Sequence, residues 1–457
     1  MEAERTVLIS FLGSTDYTSC NYQLNNQRVN RVPYIQIALA EFFIKSHPDN
    51  RIILLLTDTA RRSNWENESK KTLKDHLGER GLISQTEIVA IPEGKEETEI
   101  WDIFNLMFTS IRDNDRVIID ITHSFRSLPL LGVVFADYAE FLKDIRVEKI
   151  CYGAFDILGN IAEVESMPAD KRNVPILDLK SFNHLQKWSF AAGTFINYGI
   201  IRVLINLLEE EIARGTVVDD KYRKDILYLS QKLDKLERIF ITVRLRSIYE
   251  GNIFSEISAA IEKLSENEKR FKALLPILIK IKEKIETYTK CSILNCFRAV
   301  EWYIENRMIQ QGFTLLQESI LAYFSQHHAQ DEDIFSTELI TLVKLAFKRS
   351  KANSILHEKY LTGIMREYVN TRYIKLSSDQ EKEKYRAILI DLLNDPKLTR
   401  MRSTYRSIKN KRDDLNHGGS FRDIEIDYLS DLKKSYERTC SILFEDDQND
   451  GTKNRVE

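Results

Sequence analysis

Residues 116–126, RVIIDITHSFR, decide the fold. A short apolar run closes on an aspartate, and a loop of small hydroxyl residues then opens a helical stretch. A run of four to six apolar residues bounded by turn residues suits a strand buried on both faces. The same grammar recurs along the first third of the chain, in residues 6–13 (TVLISFLG), 51–57 (RIILLLT), 86–91 (TEIVAI) and 147–152 (VEKICY). Helical patterns separate these runs at 33–46, 97–112 and 127–143, and Ser63 with Glu66 predicts a capping box for a polar helix reaching about Arg80. Strands alternating with helices at this spacing predict an α/β domain, a doubly wound, mostly parallel, Rossmann-like sheet. Residues 155–167 predict a hairpin turning at Gly159-Asn160, and the polar, proline-flanked 168–175 predicts a domain boundary near 170.

Beyond that boundary the strand signals stop. From about Leu179 to Leu443 apolar residues recur at three- and four-residue spacing, which predicts an all-α region. A second boundary is set near Thr289, so the expected domains are 1–170, a helical connector 171–289, a helical domain 290–445 and a disordered polar tail 446–457. The 457 residues carry a formal charge of −3, which excludes a polycation that coats nucleic acid along its whole surface. Five scattered cysteines lack the paired spacing of a zinc site and fit a reduced, cytoplasmic setting. No run of 18 apolar residues occurs and no signal peptide is legible at the amino terminus, so no membrane association is expected.

In an open parallel sheet the ligand lies outside the carboxyl ends of the strands. The residues there are Gly13, Ser14 and Thr15 after the first strand, Thr57 and Thr59 after the second, and Thr122, His123, Ser124 and Arg126 after the fourth. Hydroxyls, backbone donors and an arginine at a helix start suit an anion. The same residue types are also ordinary turn and capping residues. Neither a G-x-G-x-x-G fingerprint nor a G-x4-G-K-[ST] loop follows any strand, which argues against a dinucleotide-dependent dehydrogenase and a P-loop ATPase.

A second constellation lies in residues 411–419, KRDDLNHGG. Arg412 presents a planar fork of donors matched to a phosphodiester, and His417 can move a proton near neutral pH without a metal. Asn416 shares the helix face of Arg412 and takes a supporting role. Asp413 and Asp414 read as partners of Arg412 or Lys411 and not as metal ligands, so no metal site is expected. Upstream, Arg402, Arg406 and Lys409 fall at spacings that align them with Arg412 along one helix face, a stripe suited to single-stranded RNA or to ordinary solvation.

Residues 11–22 (FLGSTDYTSCNY) and 120–131 (DITHSFRSLPLL) resemble the signatures of the CARF domain of type III CRISPR effectors, and RDDLNH resembles the R-x4-6-H motif of HEPN ribonucleases. The resemblance implies a homodimer or higher oligomer whose paired CARF domains bind a cyclic oligoadenylate, as a rule cyclic tetra-adenylate, through Gly13, Ser14, Thr15, Thr59, Thr122, His123 and Arg126. It further implies that Arg412 and His417 of two chains form one composite site for single-stranded RNA, acting without cofactor. Two rival readings stand beside it. One is a ring-nucleotide-binding sensor or regulator without nuclease activity. The other is a small-molecule α/β enzyme that uses His123 and Arg126 directly.

Overall fold

A computed structural model describes residues 5–123, 128–213, 220–265, 274–328, 332–349, 358–371, 374, 378–418 and 426–444. The chain divides into two units, 1–186 and 187–457.

Alternation within each apolar run places the first unit's core on both sides of one sheet. Along β1 (Thr6–Phe11), Val7, Ile9 and Phe11 face one hydrophobic layer while Leu8 faces the other. A one-residue slip would exchange the two sets. The other strands are β2 (Cys20–Leu24), β3 (Gln27–Val32), β4 (Arg51–Leu56), β5 (Thr86–Ala90), β6 (Arg116–Asp120), β7 (Arg146–Gly153) and β8 (Asn173–Asp178). Their order is β3-β2-β8-β7-β6-β1-β4-β5. From β7 to β5 all neighbours are parallel, as expected for a doubly wound sheet. Helices α1 (Ile35–Phe43), α2 (Asp58–Asn64) and α3 (Leu73–Glu79) contribute to one layer, and α4 (Glu97–Ser110) and α5 (Leu128–Lys143) to the other. Each fully buried Leu, Ile or Val of these layers contributes about 1.5–3 kcal/mol relative to exposure.

Three local expectations are corrected, and one hairpin appears that none of them foretold. The α3 helix starts at Thr72, whose hydroxyl and Asp75 form the reciprocal capping box, while Ser63 lies inside α2. Residues 20–32 form a β-hairpin closed by Asn25-Asn26, with Asn25 in the left-handed region at φ 52°. The 155–167 segment is no hairpin. Asn160 caps the short helix α6 (Ile161–Ser166) and Glu163 returns the bond, so a glycine-asparagine pair that suits a turn marks a helix start instead. Finally, the polar stretch before Pro175 runs into β8, which pairs antiparallel with β7 and parallel with β2 and carries the first unit past 170.

After β8 every regular element among the described residues is helical. A single hydrophobic cluster runs from Trp188 to Leu443, so the structure marks no division near Thr289. Its hub is the helix Ile309–His328, which packs on the helices Ile293–Glu305, Pro396–Asn416 and Tyr428–Phe444. Close approach to the last of these needs Gly312, where a Cβ would lie 2.4 Å from Leu432. The expected tail lies outside the described residues. No described helix is long and apolar enough to cross a membrane. All five cysteines are free: Cys296 is buried within a helix, and Cys291 is exposed just before it.

Candidate functional site

Strand order reverses between β1 and β6, and the crevice there is built on Asp120. The Ser10 hydroxyl donates to one of its carboxylate oxygens at 2.6 Å, and the Thr122 amide (3.0 Å) and hydroxyl (2.6 Å) donate to the other. Thr122 Oγ1 then accepts the Gly153 amide at 2.8 Å, so three adjacent strands are tied through one carboxyl. Full burial pushes the Asp120 pKa up, opposed by these hydrogen bonds. Thr122 is thereby committed to the scaffold.

Its neighbour His123 is half-buried. Burial lowers its pKa to about 4, so the ring is neutral, and Nε2 has no hydrogen-bond partner among the described residues. Tyr17 packs edge-on against it with ring centres 4.6 Å apart, and rests on Tyr34 at 4.7 Å. The Tyr17 hydroxyl accepts the Gly13 amide at 2.7 Å. Asn64 holds the same loop from behind, donating to the carbonyls of Gly13 (2.8 Å) and Thr15 (2.9 Å). Sequence patterning gave no reason to single out Tyr17, Asn64 or Asp120, since their roles depend on groups 49 to 110 residues away or on ring packing.

Two hollows open beside His123. One, of about 280 Å³, is lined by Tyr17, Tyr22, Tyr152, Phe155, Asp16 and Asp156 among others. The second, of about 330 Å³, brings together Gly13, Ser14, Thr15, Thr57, Thr122 and His123. Thr59 does not line it. Its amide and hydroxyl both donate to Glu93 Oε1, at 3.1 and 2.8 Å, and Glu93 takes the place in the lining. Thr57 caps α2 by accepting the Ala60 amide at 3.2 Å. Ser124 and Arg126 lie outside the described residues.

In the second unit, Asp395 caps the helix Pro396–Asn416 by accepting the amides of Lys397 (2.7 Å) and Leu398 (3.1 Å). His417 is its C-cap and Gly418 follows in the left-handed region, φ 64°. His417 and Asn416 are exposed and Arg412 is half-buried. Asn416 Oδ1 accepts from Gln310 Nε2 at 2.8 Å. The Arg412 guanidinium donates to Asp413, through Nε at 3.0 Å and through Nη2, and Lys411 pairs with Asp431 at 2.6 Å. Tyr428 donates to Asp414. Of the basic stripe, Arg406 and Lys409 are exposed whereas Arg402 is half-buried. Among the described residues no group of three or more His, Cys, Asp or Glu is placed to hold a metal ion.

The same helix start carries a feature that spacing did not disclose. His328 Nδ1 lies 2.6 Å from Asp391 and Nε2 3.2 Å from Asp395. Burial works against its charge, but the two carboxylates outweigh it and raise its pKa.

The first unit thus defines a class: a doubly wound domain with a crevice for a small ligand at its topological switch point, followed by an all-α unit. Residues 7–156 match the family model of the CARF domain of the CRISPR system endoribonuclease Csx1. A CRISPR-associated protein of Methanocaldococcus jannaschii is 25% identical over 240 residues, which are 50% of this chain and 32% of the relative, so the match spans about a third of that relative's length. A solved structure of Enterococcus italicus Csm6 bound to cyclic hexa-2'-fluoro-hexa-dAMP aligns over 97% of this chain and 95% of its own, at 12% identity and a TM-score of 0.43. The domain match and the relative support a CARF domain in the first unit and a likeness to CRISPR-associated proteins.

Proposed function

We propose that the protein is a cytoplasmic endoribonuclease of type III CRISPR defence, activated by a cyclic oligoadenylate bound in the first unit and cutting single-stranded RNA with a HEPN site in the second. The observation that carries the reading is the end of the helix Pro396–Asn416. One arginine, one asparagine and one histidine lie within six residues, with the histidine exposed at the cap. Arg412 binds the scissile phosphate, His417 moves the proton of the 2'-hydroxyl or of the leaving 5'-oxygen, and Asn416 orients them. The 2'-hydroxyl attacks the adjacent phosphorus, leaving a 2',3'-cyclic phosphate and a 5'-hydroxyl, with no divalent metal needed. Arg406 and Lys409 follow the RNA backbone, and Arg402 adds charge from its half-buried place.

Two copies are needed, because one helix end supplies a single guanidinium and a single imidazole. The apolar surface of α4 and α5 supports a second copy. Phe141 is 83% exposed, Trp101 58% and Val134 52%. One observation favours the reading as a sensor without nuclease activity: the donors of Arg412 are turned to its own neighbour Asp413.

The test is incubation of the pure full chain with end-labelled single-stranded RNA in EDTA, with and without cyclic tetra-adenylate, following both molecules. The expected result is ring-dependent cleavage leaving 2',3'-cyclic phosphate ends. Ring binding with intact RNA gives the sensor instead, and ring turnover with intact RNA gives the small-molecule enzyme.

A further inference from the structure

The 330 Å³ hollow at the ends of β1 and β4 is within the size range of a small-ligand pocket, and its described lining suits a flat ring better than a phosphate. Its floor is Phe11, Leu55 and Ile91, each at most 6% exposed. Among the described residues that line it the one charged side chain is a carboxylate, Glu93, and His123 is neutral. Desolvation opposes the charge on Glu93. The hydroxyl and amide of Thr59, with the Thr57 hydroxyl, outweigh it and hold the carboxyl below its usual range, so it is ionised at neutral pH. A phosphate seated there would meet a like charge over an apolar floor. A flat ring would cover that floor and present its edge to the acid.

An ionised carboxylate only accepts hydrogen bonds, so the ring edge must donate. Adenine offers its exocyclic amine at that edge. A base with a carbonyl in the same place sets two acceptors face to face and leaves both unpaired. Thr59 supplies two donors that fix the acid, which explains why it is turned away from the hollow.

We infer that the hollow holds one adenine of the ring nucleotide and that Glu93, positioned by Thr59, reads its exocyclic amine. The phosphates then lie outside this hollow. This deepens the sensor reading given above and rests on it.

The experiment titrates the full chain with cyclic tetra-adenylate and with the same ring built from inosine, whose base carries a carbonyl in place of the amine. A charged hydrogen bond lost, or its acceptor left facing another acceptor, changes affinity by about tenfold or more. Wild type is expected to favour the adenine ring by that margin. Glu93→Gln is expected to lose most of the preference, and Thr59→Val, which keeps the amide donor but not the hydroxyl, a smaller part of it. Melting curves check that the variants fold, and Thr59→Val alone carries the test if Glu93→Gln does not. An unchanged adenine-to-inosine ratio in folded variants overturns the inference, as does an equal loss for both rings, which would place a ribose hydroxyl or a purely structural role at Glu93. Tighter binding of both rings by Glu93→Gln would place a phosphate there and overturn it too. Wild type that binds neither cyclic tetra- nor cyclic hexa-adenylate removes the sensor reading and the inference together, whereas binding that ignores Glu93 removes the inference alone.

Discussion

The two units treat polar chemistry in opposite ways. In the α/β unit the crevice groups spend their hydrogen bonds on one another, Asp120 on Ser10 and Thr122 and the Tyr17 hydroxyl on the Gly13 amide away from water, Glu93 on Thr59 at the rim. Its histidine is half-buried and neutral. In the helical unit Arg412, Asn416 and His417 stand at a helix end near the surface, joined to neighbours by pairs such as Arg412–Asp413, whose side chains are 22% and 37% exposed. A buried, internally bonded site holds its shape before a ligand arrives, so it can discriminate by itself. An exposed pair is worth about 0–1 kcal/mol, so Asp413 can yield the guanidinium to a phosphate at small cost. The first arrangement suits recognition, and the second suits chemistry that is completed only when another surface arrives.

The sharpest way to break that contrast is to remove the groups at the helix end. Arg412→Ala and His417→Ala are each expected to lower ring-activated RNA cleavage by roughly 10²–10⁴-fold, the range of a general acid–base or charge-stabilising group. Affinity for cyclic tetra-adenylate, measured by titration, should stay within a fewfold of wild type, because neither residue belongs to the first unit. Cleavage that survives both substitutions would take the chemistry away from this helix end.

How much of this could be read in advance follows from where each signal resides. The five parallel strands were legible because buried runs such as 51–57 announce themselves without reference to partners. The hairpin at Asn25-Asn26 and strand β8 were not: Gln27–Val32 is mostly exposed, and β8 carries Pro175 in a polar context. Such segments become strands only through the neighbour they pair with. The place of Thr57, Thr122 and His123 in the lining of one hollow was legible because position after a strand is a local property, whereas that of Glu93 was not, because what marks it is the bond from Thr59, 34 residues away. The helix end at His417-Gly418 was legible from the glycine that terminates it. The pairing of His328 with Asp391 and Asp395, 63 and 67 residues on, was not.

That histidine gives the next prediction, since it inverts His123: it is half-buried but paired with two carboxylates, so its pKa is raised instead of lowered. Its pKa is raised in the folded chain, so its stabilising contribution is fully present below the ordinary value of 6.5 and is lost as pH rises through the elevated value. Asp395 acts at the other end. Its pKa is lowered, so its contribution is present above the ordinary 3.8 and is lost as pH falls through the depressed value. Asp391 is 72% exposed and contributes less through solvent screening. His328→Gln is expected to cost about 1–2 kcal/mol near pH 6, the scale of a hydrogen bond to a charged group, and less at pH 9. Melting curves across that range check it. A loss that does not depend on pH would mean that His328 is held neutral.

The smallest effect tests how rigid the buried site is. A Cβ at Gly13 would lie 2.8 Å from the Tyr17 hydroxyl and 3.6 Å from the His123 Cβ. The first contact is too close, so one group must move. A free tyrosine would swing aside, but this ring is set against His123 and Tyr34, and its hydroxyl holds the Gly13 amide. Gly13→Ala should therefore cost about 1 kcal/mol in stability, as overpacking does, and lower the melting temperature by roughly 2–4 °C. Ring-nucleotide affinity should fall with it, because the displaced groups border both hollows. If both quantities stay at wild-type values, Tyr17 moves freely, and the first unit's site takes its shape from the ligand instead of imposing shape upon it.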